Sequence, residues 1–142
     1  MKWFKFIIYF ALWAGALLNI VNGIRQITGN IYLSEGVSPE TIYEAFPNLK
    51  GADVLLGLIS CALGIFQIAT RFSLAHYKTY APTMLHVSYV FVIIFDVISS
   101  IVVSSITGIE TFSTIVASLI GTIICLVINV KYFNNRKHLF IN

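Results

Sequence analysis

The chain has 142 residues, 58% of them hydrophobic and 11% charged, with a formal net charge of +3. Four apolar runs take up well over half of that length, and the remaining loops are too short to fold a soluble domain with its own core. Residues 1–142 therefore read as one integral membrane domain. The basic residues are dispersed at the edges of the runs, where anionic headgroups and membrane orientation account for them, so nucleic acid is excluded as a partner.

The first run, Trp3 to Ile24, is long enough to cross a hydrocarbon core of ~30 Å as a helix. Asn19 and Asn22 follow its apolar stretch without a small-residue cleavage pattern, so it is expected to be a permanent span and not a cleaved signal. The connection 25–52 is the longest segment outside the runs. Within it, Ser38-Pro39-Glu40 is a helix start: an N-cap hydroxyl, a proline where no donor is needed, and an acid at the positive dipole end. A short helix from Pro39 to Phe46 is predicted, with Pro47 ending it. Ile42, Tyr43 and Phe46 share one side, so the helix is expected to lie on the outer membrane surface or cap the bundle, with Tyr43 and Phe46 as partner contacts.

The second run spans Asp53 to Thr70 and is followed by a basic, aromatic loop, Arg71 to Ala81. The third runs from Met84 to Ile106, with Pro82 tolerated in its first turn. Gly108 lies in the very short connection to the fourth run, Thr111 to Val130, making the last two spans antiparallel neighbours. With the N-terminus inside, seven of the nine Lys and Arg fall on the inner side: Lys2, Lys5, Arg71, Lys78, Lys131, Arg136 and Lys137. The positive-inside rule then puts both termini in the cytoplasm. All acids except Asp96 fall on the outer side.

Each run carries small or polar residues at steps of three and four. These are Gly15, Asn19, Asn22 and Gln26; Gly57, Ser60, Gly64 and Gln67; Ser88, Asp96, Ser100 and Ser104; and Thr114, Ser118, Gly121, Cys125 and Asn129. Lipid cannot satisfy polar groups and close helix packing favours small ones, so these stripes are expected to face each other. The fold class that follows is an all-α transmembrane four-helix bundle, N-in and C-in, with a short external interfacial helix.

Asp96 is the residue hardest to explain as packing, because a carboxylate at mid-span costs about 2.5–3.5 kcal/mol on insertion scales. No Lys or Arg lies at its depth, which leaves protonation, hydroxyl or amide donors, water, a cation or a second copy of the chain to compensate it. Asn19, Asn22, Ser60, Ser100, Ser104 and Ser118 lie at or outside its level and are expected to form an outward polar vestibule ending at Asp96. His86, Gln67 and Asn129 are expected at the cytoplasmic edge. His86 and Asp96 are about 15 Å apart along one helix and cannot bond directly.

Cys61 and Cys125 are isolated, and neither a metal-ligand spacing nor a phosphate-binding glycine loop occurs, so no metal or cofactor is expected. The tail Lys131-Tyr132-Phe133-Asn134-Asn135-Arg136-Lys137-His138-Leu139-Phe140 resembles the ending of uncharacterised small four-span bacterial membrane proteins with an aromatic and basic cytoplasmic tail. That resemblance implies a bacterial cytoplasmic (inner) membrane location and no particular activity. The chain lacks the first-span glutamate of the small multidrug resistance family.

Three functional classes follow. The leading one is a noncatalytic membrane protein that binds a membrane partner as a subunit, regulator or immunity-type protein. The alternative is a small proton- or cation-coupled transporter or channel-like oligomer using Asp96. A membrane enzyme acting on lipid or quinone comes last, because no nucleophile–base arrangement is visible. In the two leading cases, four short spans enclose little volume, so homo-oligomers are also expected.

Overall fold

The structure is a computed structural model describing residues 2–141, without the side chains of residues 34 and 35. Its first helix, α1, covers Lys2–Ile27 and contains one π turn over Ile7–Ala11, where the Leu12 amide bonds to the Ile7 carbonyl. The short α2 spans Pro39–Ala45, followed by the long helices α3 (Pro47–Ala75), α4 (Ala81–Thr107) and α5 (Phe112–Asn134). Two 3-10 turns, Tyr32–Glu35 and Lys137–Leu139, complete the helical content, and no strand occurs among the described residues. Of these helices, α1, α3, α4 and α5 are long and apolar enough to cross a membrane.

Ser38 caps α2 by accepting from the Thr41 amide at 3.3 Å, as its sequence requires. Pro47 stops α2 where the sequence predicts and is also the first residue of α3, with Phe46 (φ −132°, ψ 78°) alone breaking the helix between them. A proline disfavours helical backbone in the residue before it and fits the first helical turn, so one residue both ends α2 and starts α3. As a consequence α3 begins six residues before the expected Asp53, and Asp53 lies well inside it.

The long helices pack in a row. α1 packs on α3 mainly through Leu12–Ile27, α3 on α4, and α4 on α5. The α1–α3 pair is built on small residues: a Cβ at Gly57 would come within 2.6 Å of the Gly23 carbonyl oxygen, and one at Gly64 within 2.8 Å of the Ala16 carbonyl oxygen. Such contact brings backbones close and packs them with few side-chain rotamers to freeze.

The row closes only at the end carrying the termini. There Phe4, Ile7, Ile8, Leu12, Leu74, Ala81, Leu85, Phe133 and Phe140 form one buried cluster. The turn at Lys137–Leu139 folds the tail back so that Phe140 meets Phe4 and Phe133 edge-on or tilted, with ring centroids 6.2 and 5.6 Å away. The seven basic residues expected inside from the sequence lie toward this end of the row, and every acid except Asp96 lies toward the opposite one. At that far end Gly108, with φ 70°, ends α4. Glu110 accepts from both the hydroxyl and the amide of Ser113 (2.8 and 3.0 Å), which holds its carboxyl below the usual range.

Burial is uneven. Only 6% of the apolar stretch is buried in α4 and in α5, against 28% in α1 and 33% in α3. Large apolar side chains such as Leu18, Leu58, Ile65, Ile101, Ile120 and Val127 stand exposed around the row.

Candidate functional site

Asp96 sits half-buried between α4 and α5, where its Oδ2 accepts from Ser118 Oγ at 3.3 Å. Ser118 itself is exposed, and a Cβ built on nearby Gly121 would meet nothing within 4 Å. The carboxylate therefore lies at the open margin of this helix pair, not at the axis of a closed bundle.

The other expected vestibule residues are distributed over separate networks. Ser100 and Ser104 both bond the Thr111 hydroxyl at 2.9 Å, and Ser104 also accepts from the Thr111 amide, so they clamp the α4–α5 turn. Ser60 donates to the Asn19 carbonyl oxygen at 2.8 Å, pinning α3 to α1. Asn22 is exposed. The vestibule is thus not assembled around Asp96: helical drift and local hydroxyl pairing send its members to different faces.

Two of the three residues expected at the cytoplasmic edge hold helices together. Gln67 lies eight residues, or about 12 Å, before the end of α3 and accepts from Asn19 Nδ2 at 3.1 Å. That moves it from the helix end, where the sequence put it, to the interior of the α1–α3 pair, because α3 runs on past Thr70 to Ala75. Asn129, 1% exposed, accepts from Trp3 Nε1 at 3.1 Å and donates to Tyr89 Oη at 3.1 Å, joining α1, α4 and α5. His86 packs against the Phe133 ring with its Nε2 buried and unbonded.

The strongest polar cluster was not visible in the sequence. Asp53, 1% exposed, receives Tyr32 Oη at 2.7 Å and Tyr43 Oη at 3.1 Å on one oxygen and Gln26 Nε2 at 3.3 Å on the other. Gly29, at φ 74°, makes room for this arrangement, since a Cβ there would lie 2.9 Å from the Tyr43 hydroxyl. Burial, and then the charge and hydrogen bond of Asp53, push the Tyr43 phenol up to about 12. Tyr43 is thereby turned onto α3 as a latch. Phe46 lines a cavity of about 280 Å³ between the loop and the α4–α5 turn, beside Leu49, Val103 and Glu110. The only signal available in the sequence was Asp53 itself, within reach of a loop that carries two tyrosines, Tyr32 and Tyr43.

Among the described residues, no three His, Cys, Asp or Glu side chains converge as a metal site would require. Cys61 and Cys125 are free thiols, the former aimed at the Ile20 carbonyl oxygen. Fold and polar clusters together define a small all-helical protein of four long apolar helices. Comparison with known protein families, with curated proteins and with solved structures found no match.

Proposed function

We propose that the protein is a noncatalytic, multi-pass integral membrane protein, both termini cytoplasmic, that binds a helix of a membrane partner along the open α4–α5 face. The observation that carries this reading is half-buried Asp96 bonded to the exposed Ser118, one turn from Gly121, where a Cβ would meet nothing within 4 Å. A mid-span carboxylate costs about 2.5–3.5 kcal/mol on insertion scales, whereas one interhelical hydrogen bond returns about 0.6–2 kcal/mol. The single 3.3 Å contact with Ser118 therefore leaves about 0.5–3 kcal/mol of that penalty standing. A partner helix bringing one or two donors, seated against the small Ser118 and Gly121, would offset it. The belt of exposed apolar side chains and the charge asymmetry between the two ends support the membrane placement. The resemblance of the tail favours a bacterial inner membrane.

A proton- or cation-coupled pathway to Asp96 draws less support, because Ser60, Ser100 and Ser104 are already engaged elsewhere. Cross-linking in native membranes tests the proposal. Asp96→Ala should reduce the cross-linked species about three- to thirtyfold, the loss of one such bond, and Gly121→Leu should reduce it by blocking the close approach of the partner helix. Unchanged cross-linking in both variants would overturn it, as would pH-driven flux in vesicles that disappears in Asp96→Asn.

A further inference from the structure

A cavity of about 220 Å³ opens on the side of the row where α1 and α5 part above the aromatic cluster. Its polar lining includes Asn19, Gln67 and Tyr89, and Leu12, Leu18 and Val92 are among its apolar walls. No charged side chain lines it. We infer that this cavity is a binding site for the head of an uncharged, carbonyl-bearing lipid-soluble molecule.

The polar groups carry the argument. Asn19 and Gln67 share one hydrogen bond, and whichever amide donates, one carbonyl oxygen and one amino group are left over. Neither leftover atom is buried without a partner, so both remain accessible beside the cavity. Tyr89 Oη accepts from Asn129 and keeps its own proton to give. Residues carrying two donors and an acceptor thus line one cavity between largely apolar helices, the kind of lining that orients a ligand in a mostly hydrophobic pocket. A carbonyl oxygen can take both donors. An anion or cation would meet no opposite charge at this depth.

Shape agrees with this chemistry. Gly15 lies opposite Gln67, where a Cβ would stand 3.1 Å from the Gln67 oxygen, so the missing side chain leaves the amide room. The π turn at Ile7–Ala11 lies directly below, with Ala11 on the cavity wall, and such turns recur at functional sites. At ~30 Å³ per water, the volume equals about seven waters, which suits a single ring or a glycerol head with its tail left outside.

The inference rests on the membrane placement but not on the Asp96 face. Detergent-phase partitioning checks that placement separately. Calorimetric titration of the solubilised protein with a decyl-substituted benzoquinone and with monodecanoylglycerol tests the site. Binding of either probe, weakened at least tenfold by Val92→Phe, supports it, and the tighter probe names the source of the carbonyl. Val92→Phe fills the space without removing a hydrogen bond, whereas Gln67→Leu removes the amide and should weaken the same probe as strongly. Failure of both probes to bind the wild type, or binding undiminished in Val92→Phe, would overturn the inference.

Discussion

Replacing Asp53 with alanine should release the segment between α1 and α3 while leaving the long helices in place. The carboxylate accepts from two phenols of that segment, at 2.7 Å from Tyr32 and 3.1 Å from Tyr43, and is itself 1% exposed. Hydrogen bonds to a charged group contribute about 1.5–3 kcal/mol each, and the lower figure applies because both tyrosines can turn to water once freed. Their joint loss is then about 3 kcal/mol, which raises the open population of the segment by about a hundredfold. Hydrogen exchange at the Ile42 and Phe46 amides, both bonded within α2, reads that population directly. Exchange there should quicken about a hundredfold in Asp53→Ala, while amides in the middle of α3 change far less. Asp53→Asn keeps one carbonyl oxygen and should fall between. Unchanged protection at Ile42 and Phe46 in Asp53→Ala would show that the latch does not hold the segment.

Gly57→Ala places a methyl 2.6 Å from the Gly23 carbonyl oxygen and should destabilise the α1–α3 pair by about 1–3 kcal/mol in micelle unfolding, whereas Gly121→Ala, facing open space, should change it by less than about 0.5 kcal/mol. Asn129→Leu leaves the Trp3 indole without its acceptor, so tryptophan emission should shift and stability fall by about 1–3 kcal/mol. The Tyr43 phenol, raised from 10.0 to about 12, favours the folded state while neutral. Its contribution is fully present below the unfolded value and is lost as pH rises through the folded one, so protection of the segment, measured against the intrinsic base-catalysed exchange rate, should fall across that alkaline window, and Tyr43→Phe should reduce that fall.

The four long helices were legible because an uninterrupted apolar run of that length has few other uses, and α2 was legible because Ser38-Pro39-Glu40 states a helix start locally. Asp53 was not, because its meaning depended on where α3 begins. Proline fits both just past a helix end and at a helix start, and only the conformation of Phe46 separates the two uses. The tyrosines that bury Asp53 come from a loop with no periodicity to announce which way they point. The stripe on α4 misled for a different reason. Each step of four advances about 40° around a helix, so Ser88 and Ser104, four steps apart, end about 160° from each other and serve different neighbours.

Spacing alone also cannot distinguish a small-residue stripe that is covered from one that is bare. Gly57, Ser60 and Gly64 on α3 repeat at the same steps as Thr114, Ser118 and Gly121 on α5, yet Gly57 and Gly64 meet the α1 backbone while Gly121 meets nothing within 4 Å. The difference is position in the row. α3 has α1 on one side and α4 on the other, whereas α5 is last and packs along its length on α4 alone. A terminal helix must present a free face, and composition then decides what that face is for. Bulky aliphatic residues would suit acyl chains. Ser118 and Gly121 beside a carboxylate suit a close-packed helix that brings a donor, which is why the last pair of helices, the least buried of the four long ones, carries the proposed function.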